Sequence, residues 1–286
     1  MTTDALVLAG GGVAGIAWET GILMGIADVD PSLADEIIAE STTLIGTSAG
    51  SNVAAQLASG RALADLFAAQ VSDEHSELKV ELDLEKFGAM MSDGAASDES
   101  PEATRRRIGA IARGAETPSV RARRAVIEAR LAGADWPERT LLITAIDTET
   151  GELRVFDRTS GVDLVDAVAA SSAVPGIWPT VEIAGRHYMD GGMRSLANAD
   201  LAAGAARVLI LVPSLEQSPF GQSVPDAELE ALTSKRVMTV FADADSIAAM
   251  GTNPLDPASR RPSAIAGRDR GRQVAPEVAA FWRLEG

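Results

Sequence analysis

The sequence predicts an α/β fold with helices layered on a mainly parallel central sheet. Two observations support this prediction. A short apolar run, a glycine turn and a helical pattern follow one another twice within the first sixty residues, which is typical of α/β layering. Apolar runs then disappear between residues 72 and 136 and return after that block. The chain of 286 residues is long enough to bury a large core.

The first sixty residues contain the two strand–turn–helix units. Residues 5–9 form an apolar run that ends in glycines and predicts a buried strand, and residues 13–28 repeat apolar side chains on one helical face. Residues 42–45 predict the second strand, Gly46 begins its turn, and residues 49–59 predict the second helix. Each unit therefore places a glycine turn between a strand and a helix.

The block 72–136 is rich in charge and has no apolar strand pattern. Helical patterns at about 102–113 and 118–132 lie beside the polar, breaker-rich loop 93–101. We interpret the block as a helical cap inserted into a single domain that spans residues 1–286.

The chain between residues 137 and 213 predicts further strands, two of them in a small hairpin that turns at Ala184 and Gly185. The predicted strands are 140–146, 152–156, 180–183, 187–189 and 208–212, with a helix at 163–171. We take the strand that ends at residue 212 as the last one of the core.

Residues 214–286 predict a C-terminal extension that is helical to irregular. A helical pattern covers about 226–248, and residues 254–272 are rich in proline, arginine and glycine. We expect the second stretch to be irregular.

Composition excludes several classes of protein. The chain has no cysteine, so it has no disulfide and no thiolate metal site. Its 41 acids and 25 bases give a formal charge of −16, which argues against a dedicated nucleic-acid binder. We find no positively charged n-region and no stretch long and apolar enough to cross a bilayer, so we expect a soluble, cytoplasmic protein.

Arginines cluster in the predicted helices of the block 72–136. They are Arg105, Arg106, Arg107, Arg113, Arg121, Arg123, Arg124 and Arg130. A solvated helix face is one interpretation. The other is a basic patch that meets anionic lipid headgroups, with the protein peripheral to a membrane.

The first candidate functional motif is the glycine-rich turn Gly10-Gly-Gly-Val-Ala-Gly15. Its glycines leave backbone N–H groups open to a ligand, and the following helix N-terminus adds partial positive charge. The turn therefore suits an anion or an oxyanion. It also fits the G-x-G-x-x-G pattern of dinucleotide-binding proteins, although Asp28 and Asp30 do not end a second strand as that pattern requires.

The second motif is Gly46-Thr-Ser-Ala-Gly50, at the second strand–helix turn. G-x-S-x-G is typical of a nucleophile elbow, in which small residues allow a sharp bend that exposes the serine hydroxyl. A chance match is the alternative, because these residue types are common. Ser48 is the candidate nucleophile, and its hydroxyl needs a base beside it.

The third motif, Asp190-Gly191-Gly192, follows the small hairpin. It predicts either a capping turn or a carboxylate base. The two histidines are weaker candidates. His75 lies in a polar stretch, and alternation along a strand places His187 and Asp190 on opposite faces. The combination of a glycine loop, an elbow and a strand-end carboxylate favours catalysis over three unrelated turns.

These three motifs occur in the order found in the patatin-like phospholipases, and the chain resembles that family from about residue 5 to residue 212, except in the block 72–136. The segment 169–179, AASSAVPGIWP, is also similar. The chain departs from the family at Ala14, where members often carry a basic residue, and at Asn198-Ala199, where they often carry Asn-Pro.

The resemblance implies a patatin-like fold with three layers, α/β/α, and a Ser48–Asp190 dyad without histidine, metal or cofactor. Ser48 would form an acyl-enzyme, and Asp190 would then help water to hydrolyse it. The oxyanion would be held by backbone N–H groups of Gly11 and Gly12, with Gly10 or Ala49. The remaining glycines of the three motifs are Gly15, Gly46, Gly50, Gly191 and Gly192.

The resemblance also implies a lipid substrate: a phospholipid, a lysophospholipid or a neutral acylglycerol. Phe87, Met90 and Met91 are candidates for an acyl groove, and Arg194 is a candidate phosphate ligand or a surface ion-pair partner. Three alternatives stay open at this point: an acyltransferase with the same site, a nucleotide-binding or regulatory protein that uses the glycine loop, and a catalytically inactive lipid-binding relative. The sequence gives no indication of oligomeric state.

Overall fold

The computed structural model describes residues 4–39, 42–82, 87–90, 100–218, 221–232 and 235–283. Its helices are α1 (Gly12–Val29), α2 (Pro31–Ile37), α3 (Ala49–Ala58), α4 (Leu63–Val71), α5 (Pro101–Gly114), α6 (Val120–Leu131), α7 (Leu164–Ser171), α8 (Asp226–Ala231), α9 (Ala244–Met250) and α10 (Arg260–Arg283). Its strands are β1 (Asp4–Leu8), β2 (Thr43–Gly46), β3 (Leu141–Asp147), β4 (Leu153–Phe156), β5 (Val181–Ile183), β6 (Arg186–Asp190), β7 (Arg207–Val212), β8 (Gln217–Ser218), β9 (Gly221–Gln222) and β10 (Arg236–Phe241). Short 3-10 turns cover Gly191–Met193, Ala199–Ala202 and Pro257–Ser259.

The central sheet has the strand order β10-β7-β1-β2-β3-β6-β5, and β4 also pairs with β3. The five strands from β10 to β3 run parallel, whereas β4 and β6 are antiparallel to β3 and β5 is antiparallel to β6. The predicted α/β class with a mainly parallel sheet is therefore confirmed.

Alternate side chains of the central strands enter two separate cores. Leu6 and Leu8 of β1 lie in the larger core, with side chains of α1, α3, α6, α7 and α10. Ala5 and Val7 lie in a second, smaller core on the other face of the sheet, which also contains Ala202 and Leu232. Parallel strands that are buried on both faces have near-continuous apolar sequences, which is why β1 and β7 were predictable.

The structure corrects the prediction for residues 214–286, which do not form an irregular extension. The strand ending at residue 212 is not the last one, because β10 continues the sheet beside it in parallel. The stretch predicted as one helix at 226–248 contains α8, β10 and α9, and most of the stretch 254–272 belongs to α10. Strand β10 lies at the sheet edge and keeps most of its side chains half-exposed, and Thr239 interrupts its apolar run.

Helix α1 corrects the expectation that no stretch is apolar and long enough to cross a bilayer. By length and composition it could do so, with a mean hydropathy of 1.3. In the fold, however, 72% of this helix is buried, because it packs on α3, α4 and the long helix α10. A helix that is apolar on all sides is typical of a protein core as well as of a membrane.

Helices α5 and α6, from the predicted cap, pack closely on the rest of the domain. Ile127 and Leu131 of α6 belong to the larger core, and Ile108 of α5 packs with Ile146 and Met189. The interpretation of residues 72–136 as a cap inserted into a single domain stays a prediction. The breaker-rich loop predicted at 93–101 falls mostly outside the described residues.

Arg105, Arg123 and Arg130, on α5 and α6, are engaged inside the protein. Arg105 donates to Gly151 O at 2.6 Å, and Arg130 pairs with Glu77 at 2.5 Å with both side chains nearly buried. Arg123 is also buried. The interpretation as a solvated helix face is therefore wrong for these three arginines, whereas Arg121 is exposed as predicted.

Candidate active site

Ser48 lies at a sharp turn between β2, which ends at Gly46, and α3, which begins at Ala49. Its φ of 53° and ψ of −110° place a non-glycine residue in a sparsely populated region, which is typical of a nucleophile elbow. The turn tolerates only glycine at two positions. A Cβ on Gly46 would lie 2.5 Å from the Cα of Ser51, and a Cβ on Gly50 would lie 2.0 Å from Leu8 O.

Asp190 lies beside Ser48 because the strands that lead to these two residues, β6 and β2, both pair with β3. Gly46 at the end of β2 pairs with Ile143, and Asp190 at the end of β6 pairs with Ala145, only two residues further along β3. The Ser48 hydroxyl donates a hydrogen bond to Oδ2 of Asp190 at 2.7 Å. The structure thus brings together the two residues that the sequence singled out.

The Asp-Gly-Gly turn holds the carboxylate in place. The N–H of Gly192 donates to Oδ1 of Asp190 at 2.7 Å, which leaves Oδ2 for the serine. A Cβ on Gly191 would lie 2.3 Å from Oγ1 of Thr144, so no larger residue fits there. Both glycines therefore serve the orientation of the carboxylate.

Burial raises the pKa of Asp190 to about 6. The Ser48 hydroxyl, the Gly192 N–H and the charge of Arg123 all act in the opposite direction, but burial dominates because only 1% of the residue is exposed. A carboxylate with this pKa is mostly ionised at neutral pH, and it is a stronger base than an ordinary aspartate.

The pKa of Asp190 predicts an acid limb in the pH dependence of catalysis. With Asp190 as the base for Ser48, its protonated form would be inactive, and we then expect kcat/KM to be constant above about pH 7 and to fall about tenfold per pH unit well below 6. Initial rates with an uncharged ester between pH 4 and 9, with enzyme stability checked at each pH, measure this limb. A rate that stays flat down to pH 4 would contradict the prediction.

Helix α7 and the start of α3 fix the backbone of the elbow. The N–H of Ser48 donates to Oγ of Ser171 at 2.9 Å. The carbonyl of Ser48 accepts from Oγ of Ser51 at 2.6 Å and from Nδ2 of Asn52 at 3.0 Å. Ser171 belongs to the segment 169–179 that resembles the family, so that segment contributes directly to the site.

The glycine loop presents two of its three predicted donors. The prediction of Gly10 as an oxyanion donor is wrong, because its N–H already donates to Leu196 O at 2.8 Å. Among the described residues, the N–H groups of Gly11, Gly12 and Ala49 have no hydrogen-bond acceptor. Gly12, with a φ of 66°, and Ala49 line the same cavity as Ser48. These three groups are the geometric candidates for an oxyanion site.

Gly15 and the residues behind the loop explain its close packing. A Cβ on Gly15 would lie 3.2 Å from the Cβ of Ala49 and 3.1 Å from Pro213. Ala14 is fully buried and its N–H donates to Pro254 O at 2.9 Å. A basic side chain of the kind that family members often carry at this position would have no access to water here.

A buried polar network under the elbow accounts for the second departure from the family. Nδ2 of Asn198 donates to Oγ1 of Thr47 at 3.1 Å and to Ser195 O at 2.8 Å. The next residue, Ala199, donates its N–H to Oε2 of Glu228 at 2.8 Å. A proline at position 199 has no N–H and could not make this bond.

Neither histidine takes part in the site. His75 is exposed, and its Nδ1 accepts from the N–H of Glu77 at 3.3 Å. His187 is half-buried and its Nδ1 lies 3.3 Å from Oγ1 of Thr180. The prediction that His187 and Asp190 face different sides of the strand agrees with this arrangement. Among the described residues, no group of three or more metal-binding side chains converges at any point.

Two cavities lie on either side of the loop 174–178. Ser48, Arg123 and Trp178 are among the residues that line the first, whose volume of about 10 Å³ holds roughly one water molecule. The second has a volume of about 320 Å³, and its lining includes two of the three groove candidates, Phe87 and Met90. The third candidate, Met91, lies outside the described residues.

The three motifs do not include several charged or polar residues that are buried or line the first cavity. Arg123, Arg130 and Asn52 line this cavity, and the sequence marked the two arginines only as members of the arginine cluster. Glu19 of α1 is fully buried, and this burial raises the pKa of its carboxyl well above the usual value. The Ala9 backbone acts on this pKa in the opposite direction. Neither carboxyl oxygen of Glu19 has a hydrogen-bond partner among the described residues.

Arg194, the earlier candidate for a phosphate ligand, is already paired. Its guanidinium makes two bonds of 2.9 and 2.8 Å to the carboxylate of Asp200 and a third of 2.8 Å to Oδ1 of Asn198. The ion-pair interpretation of this residue is therefore the better one.

Comparison with known families agrees with the geometry. A family model described as patatin-like phospholipase matches residues 6–203. The chain belongs to the patatin-like phospholipase family. The match covers the glycine loop, the elbow and the Asp-Gly-Gly turn of this patatin-like protein.

Two solved structures resemble this patatin-like chain over most of its length. One is VipD from Legionella pneumophila, with 12% identity, 97% of this chain and 67% of VipD covered, and a TM-score of 0.43. The other is the type III effector protein ExoU, with 20% identity, 97% of this chain and 53% of ExoU covered, and a TM-score of 0.43. No curated protein matches the sequence.

Proposed function

We propose that this patatin-like protein is a lipid acyl hydrolase in which Ser48 and Asp190 form the catalytic dyad. The observation that supports the proposal most directly is the 2.7 Å hydrogen bond from the Ser48 hydroxyl to the buried carboxylate of Asp190. Membership of a phospholipase family supports a lipid ester as the substrate.

The proposed reaction has two steps. In the first, Ser48 Oγ attacks the acyl carbon while its proton passes to Oδ2 of Asp190, and the alcohol leaves with that proton. In the second, water attacks the acyl-enzyme, Asp190 takes a proton from the water, and the fatty acid departs as Ser48 regains its proton. The N–H groups of Gly11, Gly12 and Ala49 would stabilise the oxyanion in both steps, at about 3–4 kcal/mol for a well-placed donor.

The structure disfavours the nucleotide-binding alternative. The N–H of Gly10 is already bonded to Leu196 O. Gly12 packs so closely under Pro254 and Leu255 that a Cβ on it would lie 2.8 Å from each of them. A dinucleotide pyrophosphate also needs free space above the loop, and Pro254 and Leu255 leave little of it.

A product-resolved assay tests the proposed function. The protein is incubated with mixed micelles of a phospholipid and detergent, with and without an excess of a primary alcohol, and the acyl products are separated. We expect free fatty acid as the main product, and covalent labelling of Ser48 by a fluorophosphonate. A dominant acyl ester of the added alcohol would instead identify an acyltransferase. Absence of both products and of labelling would overturn the proposal.

The larger cavity predicts a preference for longer acyl chains. Its lining includes the apolar side chains of Ile111 and Ile177. Ile177 belongs to the loop 174–178, whose two end residues line the Ser48 cavity. We expect Ile177→Trp to fill part of the 320 Å³ and to lower the ratio of kcat/KM for a p-nitrophenyl laurate over a butyrate about tenfold, as loss of about two buried methylenes would. The exposed Ile265→Trp serves as the control. An unchanged ratio in Ile177→Trp would show that the acyl chain of the ester does not bind in this cavity.

A further inference from the structure

Arg123 is a buried cation in the wall of the Ser48 cavity. It lies on α6, only 5% of it is exposed, and it lines the first cavity together with Ser48. Its guanidinium stacks over the ring of Trp178, with 4.1 Å from Cζ to the ring centroid. Its position is therefore fixed by packing on an aromatic face, which suits arginine better than lysine.

The guanidinium of Arg123 has more donors than it uses. Nη2 donates to Oγ of Ser172 at 3.3 Å. Nε and Nη1 are buried and have no hydrogen-bond partner among the described residues. Buried polar groups are normally bonded, and a buried charge without a partner is costly, so an unused pair of donors on one planar group calls for an acceptor.

The neighbouring acids do not fill this role. Glu77 is held by Arg130, with bonds to both of its carboxyl oxygens. Asp190 is bonded to Ser48 and to the N–H of Gly192. Burial and repulsion from Arg130 lower the pKa of Arg123 to about 9, so it still carries its charge at neutral pH.

Arg123 lines the cavity of Ser48, where the ester must bind, and this cavity must widen from its volume of about 10 Å³ to admit a lipid. An acyl carbonyl at Ser48 brings the group next to the ester oxygen into the same cavity as the guanidinium. Guanidinium groups bind phosphate and carboxylate oxygens through two parallel N–H bonds. In a glycerolipid with a headgroup, the anion closest to the ester bonds is the phosphate.

We propose that Arg123 binds the phosphate of a glycerolipid whose acyl ester lies at Ser48, so that the site selects phosphate-bearing lipids over neutral acylglycerols. This inference rests on the proposed hydrolase function. In this proposal Arg123 determines substrate specificity, whereas Arg130 orients Glu77.

The experiment compares two lipids that differ only in the phosphate: oleoyl lysophosphatidic acid and monooleoylglycerol, both in mixed micelles at pH 8. At this pH Asp190 is ionised, so a change in its pKa does not affect the comparison. We expect the wild type to prefer the phosphate-bearing lipid in kcat/KM, and Arg123→Gln to lower that preference about ten- to a hundredfold, which is typical for loss of a bond to a charged group. Arg123→Lys, which keeps the charge without the planar fork, is expected to restore part of the preference.

The exposed Arg121→Gln, two residues away on the same helix, is the matched control and is expected to keep the wild-type preference. Equal losses on both lipids in Arg123→Gln would overturn the inference, because they would show that Arg123 acts on the dyad and not on the phosphate. A wild type without preference would overturn it as well.

Binding to the Ser48→Ala variant separates this inference from the proposed function, since it needs no turnover. By calorimetry, we expect the phosphate-bearing lipid to bind at least tenfold more tightly than monooleoylglycerol, and the difference to vanish when Arg123→Gln is added. Equal binding of the two lipids would overturn the inference even if the wild type is an active hydrolase. Inorganic phosphate that binds as tightly as the lipid would also overturn it, because the ligand would then be the free ion.

Discussion

Ser48→Ala and Asp190→Asn are each expected to lower kcat by at least about 10⁴-fold without unfolding the protein. Ser48→Ala removes the atom that we propose forms the acyl-enzyme. The asparagine keeps the shape of Asp190 and its position beside the Ser48 hydroxyl, but an amide cannot accept the proton. The rates are measured with a short-chain p-nitrophenyl ester, and folding is checked by circular dichroism.

Matched surface variants separate the dyad from general effects of substitution. Ser59→Ala and Asp65→Asn make the same chemical changes at exposed positions and are expected to stay within twofold of the wild type. The double variant Ser48→Ala/Asp190→Asn should be no slower than the slower single variant, because residues that act as one unit are not additive. Activity that survives in Ser48→Ala would mean that another group is the nucleophile.

The Ser48–Asp190 pair could be predicted from sequence because the constraints on it are local. The elbow requires small residues within five consecutive positions, and a Cβ on Gly46 or Gly50 would overlap with backbone atoms of the protein. Gly191 is fixed in the same way by Thr144. Constraints of this kind leave glycines at fixed spacings, and three such motifs in a fixed order resemble one family far more than any other.

The buried position of Arg123 could not be predicted because it depends on contacts distant in sequence. The side chain meets Ser172 and Trp178, which follow it by about fifty residues, and it lies in a run of arginines of which some are exposed. Periodicity on α6 gives the same pattern for a buried arginine as for a solvated one. Gly10 failed as a predicted donor for a related reason, because its partner Leu196 O is far along the chain.

Strand β10 was missed because Thr239 interrupts its apolar run, and helix α10 was missed because it lacks the apolar pattern that marks a core helix. β10 is an edge strand, and α10 has the low apolar content of a surface helix although Val274, Val278 and Trp282 are buried in the larger core. The missing signal was a spacing of glycines. Gly21 and Gly25 on α1 and Gly267 and Gly271 on α10 are each four residues apart, which allows two helix backbones to approach closely.

The crossing of α1 and α10 depends on these four glycines. A Cβ on Gly25 would lie 2.0 Å from Arg268 O, and one on Gly271 would lie 2.2 Å from Ile22 O. The other two are equally tight, with 2.3 Å from Gly21 to Ala264 O and 2.3 Å from Gly267 to Trp18 O. Backbone carbonyls cannot rotate away as flexible side chains do, so any larger residue must push the two helices apart.

Gly25→Ala and Gly271→Ala are therefore each expected to lower the free energy of unfolding by about 2–4 kcal/mol, although alanine favours a helix over glycine by about 1 kcal/mol. Thermal and urea unfolding followed by circular dichroism measure the loss, which corresponds to a fall in Tm of roughly 5–10 °C for a domain of this size. Gly114→Ala is the control, because a Cβ there would have no atom within 4 Å and should leave stability unchanged or slightly higher. The double variant should lose less than the sum of the two single losses, since one separation of the helices relieves both clashes. Losses below about 0.5 kcal/mol in both single variants would show that the helices do not cross at these glycines.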